Sequence, residues 1–101
     1  MTSALLTISG TVGIRERIAI PPGAVATVKV VDSDGEVLAA TAIPADGVPV
    51  AWTLTVDPEI VPDQSRLLVW AALRTEVGWW GTLDLVPVDE ADEILLSRVP
   101  D

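Results

Sequence analysis

Even-numbered positions from Ala4 to Ile20 carry Ala4, Leu6, Ile8, Gly10, Val12, Ile14, Ile18 and Ile20, and only Glu16 breaks the apolar row. A period of two places one side chain in each pair on the same face, so this stretch reads as β-strand with one buried face. Drawn straight, it would reach about 55 Å at ~3.3 Å per residue, too long for a domain of 101 residues. Gly10 and Gly13 are therefore the expected bends, where the chain passes from one sheet to another. Pro21-Pro22 ends the run, because proline has no N–H to give to a ladder.

The same period recurs downstream. Val25–Asp32 and Glu36–Ile43 flank Ser33-Asp34-Gly35, which reads as a three-residue hairpin loop with glycine last at positive φ. That loop would set Val30 opposite Leu38 and Val28 opposite Ala40. Val50, Trp52, Leu54 and Val56 alternate with Ala51, Thr53 and Thr55 as a half-buried strand. Asp57–Ser65 holds Pro58 and Pro62 and reads as loop. Arg66–Thr75 and Trp79–Val86 form a second hairpin around Glu76-Val77-Gly78, with Gly78 at positive φ. Its three-residue loop pairs Leu73 with Gly81, Ala71 with Leu83 and Val69 with Leu85 on one face. Arg74 with Trp80, Ala72 with Thr82 and Trp70 with Asp84 share the other. A two-residue loop would slip the register by one and set Asp84 opposite Val69, a mismatch on a buried face. Glu93–Val99 reads as a last strand, with a short helix capped by Asp89 as the alternative. Short strands between turn signals, with nothing helical to cover a face, define an all-β chain: a small antiparallel β-sandwich of about seven or eight strands in one domain, residues 1–101.

Composition narrows the chemistry. Half the residues are hydrophobic, which excludes an intrinsically disordered chain. There is no Cys and no His, so neither disulfides nor Ser-His or Cys-His catalysis is available. Fifteen acidic and six basic residues leave a formal charge of −9, which repels phosphate backbones and argues against nucleic acid as a partner. No stretch of about 18 uncharged apolar residues offers a membrane span. Met1-Thr2-Ser3 leads into no basic, then apolar, export signal. The expected location is therefore cytoplasmic if Met1 is the native start, and undetermined if the chain was trimmed from an exported protein.

The order strand, Gly10, strand, Arg15-Glu16-Arg17-Ile18-Ala19-Ile20-Pro21-Pro22-Gly23-Ala24, then a strand ending in Asp32 resembles the YbaY-type lipoprotein family, which is related to the pilotins of type III secretion. Gly10, Arg17, Ala19, Pro21, Pro22, Gly23 and Ala24 stand where the family pattern has them. So do Pro49 with Trp52, Asp57-Pro58, and the alanine-rich strand Val69–Leu73. The resemblance covers roughly residues 6–86 and implies a non-enzymatic β-sandwich. Pilotins of this kind help an outer-membrane secretin reach its membrane, binding a partner segment and, in some, lipid. The chain departs from the family in having no lipoprotein signal and no Cys to acylate, and in its short Ser33-Asp34-Gly35 hairpin.

Three candidate sites follow from the residues. Trp70, Arg74 and Trp80 share the predicted outward face and would make an aromatic platform for a sugar ring or an apolar partner segment, with cation–π support from Arg74. The competing readings are a face covered by the C-terminal segment, whose Ile94, Leu95 and Leu96 must pack somewhere, or a homodimer contact. Trp52 and Trp79 read as core. Glu16 on its apolar row is a candidate buried carboxylate, against a side chain turned to solvent or paired with Arg15, Arg17 or Arg66. Asp32-Ser33-Asp34-Gly35 resembles the opening of a calcium loop but lacks the later ligands, so it reads as a turn, and Asp89, Glu90, Asp92 and Glu93 read as a solvated acidic loop. No metal site and no cofactor are expected. The functional expectation is a non-catalytic binding or assembly module that captures a segment of a protein partner by edge-strand or groove binding. The alternative is a small-ligand binder, for sugar or lipid, using the exposed Trp face.

Overall fold

The computed structural model describes residues 6–15, 19–57, 66–82 and 84–99. Glu16 lies outside the described residues, as do most of the Asp57–Ser65 loop and Leu83. Eight strands carry the fold: β1 (Leu6–Ile14), β2 (Ala24–Val31), β3 (Val37–Ala45), β4 (Val50–Val56), β5 (Leu68–Thr75), β6 (Gly78–Gly81), β7 (Val86–Pro87) and β8 (Glu93–Arg98). The one regular turn between β7 and β8 is a 3-10 helix, Val88–Glu90. The expected all-β architecture is thus present, and strand, not helix, follows the acidic loop.

The strands run in the order β3-β2-β5-β6-β8-β1-β4, with β7 paired to β5. The two ends of this order, β3 and β4, lie against each other, so the sheet nearly closes on itself as a flattened barrel or sandwich. All pairs are antiparallel except β1 with β8, which is parallel. β8 is the strand that passes between layers. Its residues Glu93–Leu96 pair with β1, whereas Ser97 and Arg98 pair with β6. The core lies between the layers and includes Val12, Val28, Val30, Val56, Val69, Leu73, Trp80 and Leu96.

Period two is read out most cleanly in β4, where Val50, Trp52, Leu54 and Val56 are buried and the three residues between them are exposed. In β1 the even row Ile8, Val12 and Ile14 is buried, but the strand stops at Ile14, short of the expected Ile20. Gly10 does not bend it. A Cβ at Gly10 would run into the backbone oxygens of Ala91 and Asp92, so its bare backbone is what lets the start of β8 approach β1. Thr11 N–H donates to the Asp92 carbonyl at 2.9 Å in the same place.

The β2–β3 hairpin keeps its turn and loses its predicted register. Asp32 Oδ1 accepts the N–H groups of Asp34 and Glu36, both at 2.9 Å, and Gly35 takes φ +86°. The carboxylate thus closes the turn. Val31 faces Val37, but Val30 faces Ala39, with Leu38 as the extra residue of a bulge. Val28 accordingly faces Thr41, not Ala40.

The β5–β6 hairpin corrects the sequence reading more deeply. Its loop has two residues, Glu76 and Val77, and the ladder pairs Thr75 with Gly78, Arg74 with Trp79 and Leu73 with Trp80. The cause is local: Thr75 Oγ1 donates to the Gly78 carbonyl at 2.8 Å and accepts the Val77 N–H at 3.1 Å, which closes the shorter turn. Gly78 does take positive φ, +144°. The expected penalty, Asp84 opposite Val69, is avoided because the β5–β6 register ends at Gly81, with Thr82 N–H still donating to the Ala71 carbonyl at 3.1 Å. β7 rejoins β5 with Val86 opposite Val69, and Asp84 is exposed.

Candidate functional site: a groove across the outer face of β2, β5 and β6

The one-residue slip exchanges the two tryptophans. Trp80 is fully buried against the core and Trp79 is 40% exposed. The proposed platform of Trp70, Arg74 and Trp80 is therefore corrected: Trp80 is a core residue, and Trp79, read as core, stands beside Arg74 on the outer face. Trp52 is core as expected, at 2% exposure. Among the described residues the C-terminal strand lies edge-on to β6 and β1, and only Val99 reaches this face, where a Cβ at Gly81 would meet its Cγ2 at 3.6 Å.

Register fixes what shares the outer face, because residues directly opposite in a ladder point the same way. Three rows cross the strands. Ala40, Lys29 and Trp70 form the first; Ala42, Thr27, Ala72 and Gly81 the second; Pro44, Val25, Arg74 and Trp79 the third. The outer rows are tall and the middle row is short. The result is a groove running across the strands, with Thr27 and Ala72 on its floor and Lys29, Trp70, Val25, Arg74 and Trp79 along its walls, enclosing about 540 Å³. The walls are four residues apart along each strand, about 13 Å at ~3.3 Å per residue.

The walls hold their side chains by specific contacts. Lys29 Nζ lies 5.0 Å from the centroid of the Trp70 ring, so the cation–π pair is formed by Lys29 and not by Arg74. The Trp79 ring leans over the end of the floor, where a Cβ at Gly81 would meet its Cζ3 at 3.4 Å. The hairpin that carries Trp79 is pinned from β8: Arg98 Nη2 donates to the Val77 carbonyl at 2.8 Å, and Val99 N–H to the Trp79 carbonyl at 3.0 Å. Arg98 also stacks on the inner tryptophan, 5.3 Å from the Trp80 ring centroid.

The groove lining has two cations and no carboxylate, thiol or imidazole. Among the described residues no cluster of three or more His, Cys, Asp or Glu could hold a metal ion. Asp89, Glu90, Asp92 and Glu93 are all exposed. Among the described residues no helix is long and apolar enough to cross a membrane. Trp79 is the functional candidate that sequence reasoning missed. The signal was Thr75, a residue whose hydroxyl closes short turns.

Fold and surface together define a class: a small β-sandwich with a tryptophan-lined groove across one outer face. Residues 3–92 match the family described as type III secretion system lipoprotein chaperone (YscW), and the chain belongs to that family. It is 37% identical over 73 residues to the uncharacterized lipoprotein YbaY of Escherichia coli K12, a match covering 65% of this chain and 38% of YbaY. The chain thus accounts for well under half the length of that curated relative. Its fold is similar to that of an alternative pilotin from the type II secretion system of Vibrio cholerae, with a TM-score of 0.82 at 24% identity over 97% of this chain and all of that one. The resemblance read from the decapeptide is thereby established as membership. The expected cytoplasmic location is overturned, since both the family and the YbaY relative are described as lipoproteins.

Proposed function

We propose that the chain is a non-catalytic chaperone module of the pilotin kind, and that it holds a segment of a protein partner in the groove between the Lys29–Trp70 and Arg74–Trp79 walls. The family is described as lipoprotein chaperones, and the similar fold from Vibrio cholerae is titled a pilotin. The observation that carries the reading is Trp79, a large ring left 40% exposed at the mouth of a groove lined by a second tryptophan. Buried aromatic anchors dominate the energetics of protein recognition.

A sugar platform is less well supported. Stacking needs an open ring face, and Lys29 already occupies one face of Trp70. The test is co-purification of the partner from cells expressing the chain, with three versions compared. Trp79→Ala should lose the partner, whereas Thr53→Ala on the exposed face of β4 should retain it. Retention by both variants would place the partner elsewhere on the molecule.

A further inference from the structure

The groove has the opposite charge to the chain that surrounds it. The chain's formal charge is −9, and its described acidic residues stand in turns and at strand ends: Asp32, Asp34 and Glu36 between β2 and β3, Asp46 between β3 and β4, Asp57 after β4, Glu76 in the β5–β6 loop, Asp84 between β6 and β7, Asp89, Glu90 and Asp92 before β8, and Glu93 at its start. None lines the groove. Of the six basic residues, two do, Lys29 and Arg74. They stand on opposite walls, about 13 Å apart along the strands. Among the described residues neither is matched by a carboxylate across the groove. Arg74 is exposed and beside Trp79, so its guanidinium is free to take a carboxylate in the bidentate geometry that suits it.

Resting on the reading that the groove is the capture site, we infer that it selects a segment of one chemistry: an apolar stretch flanked on both sides by Asp or Glu. The apolar stretch lies over Thr27 and Ala72 against the two indoles. One flanking carboxylate meets Arg74 and the other meets Lys29. Charge discriminates in both directions. A basic-flanked segment faces two like charges at the walls. A segment acidic throughout is repelled by the rest of the chain, because fields of this kind act over about a Debye length, ~8 Å at physiological salt.

The test uses the full chain and a random-peptide display library, panned in parallel against wild type, Trp79→Ala and the double variant Lys29→Glu/Arg74→Glu. Both charge positions are on the outer face, and unchanged thermal unfolding verifies that the variant folds; Lys29→Gln/Arg74→Gln serves if it does not. Wild type should enrich apolar peptides with acidic flanks. Synthetic versions of these should bind about tenfold more tightly than their Gln-flanked counterparts. The double Glu variant should instead prefer basic flanks. Enrichment that Trp79→Ala abolishes but that shows no flank preference would overturn the charge rule and leave the groove reading intact. Enrichment indifferent to Trp79→Ala, no enrichment at all, or binding of oleate but no peptide would overturn both.

Discussion

Replacing each member of the Trp79-Trp80 pair by alanine separates the observed register from the predicted one. Trp80 is fully buried, between Leu73 in the ladder and the Arg98 guanidinium at 5.3 Å. Its removal leaves a core cavity as well as lost transfer energy, and such Trp→Ala changes cost about 3–5 kcal/mol. A domain of this size has about 5–15 kcal/mol of total stability, and each kcal/mol lowers the melting temperature by about 4–8 °C. Trp80→Ala should therefore melt at least about 12 °C below wild type. Trp79 is 40% exposed and faces solvent, so no cavity forms when it is cut back. Only part of the ~1.5–3 kcal/mol of a fully buried large side chain is lost, about 1–2 kcal/mol. Guanidinium unfolding, with the slope checked for constancy, reads both values. Equal losses, or a larger loss for Trp79→Ala, would refute the two-residue loop and with it the placement of the groove.

Three further outcomes follow from single contacts. Gly10→Ala should destabilise by about 1–3 kcal/mol or more, since the backbone oxygens of Ala91 and Asp92 must move, and the β1–β8 amides should lose hydrogen-exchange protection first. Asp32→Ala removes the acceptor of two turn N–H groups and should cost about 1–2 kcal/mol in denaturant unfolding, without any change in calcium response. Trp52→Phe should cost less than about 1.5 kcal/mol, because the lost volume is offset by removing a buried Nε1 that has no hydrogen-bond partner among the described residues.

The layout of strands was legible because period two is a property of the chain itself. Val50–Val56 was bounded to the residue, and the β1 row was correct as far as Ile14. Gly35 takes positive φ for the reason the turn pattern gives, whereas Gly78 takes it as the first strand residue after a two-residue loop, not as the last residue of a three-residue one. What was not legible depended on small side chains and distant backbone. The Thr75 hydroxyl shortened one loop by a residue and so exchanged Trp79 and Trp80 between core and surface. The extra residue Leu38 shifted the β2–β3 pairing. Gly10 was recognised as special, but its reason, contact with residues about 80 positions later, belongs to the parallel β1–β8 pair, which no local pattern announces. The family resemblance is readable from the decapeptide, whereas the location is not: the family and the YbaY relative are described as lipoproteins, a character no residue of this chain announces.

The central claim is that the partner sits in the groove and touches Trp79. The most direct measurement is a two-dimensional NMR titration of the labelled chain with a peptide selected by panning. The account predicts that the Trp79 and Trp70 indole N–H signals shift together with the amides of Thr27, Lys29, Ala72 and Arg74, while the Trp52 and Trp80 indoles stay in place. Shifts confined to β4 or to the β1–β8 side, with both outer indoles unmoved, would contradict it.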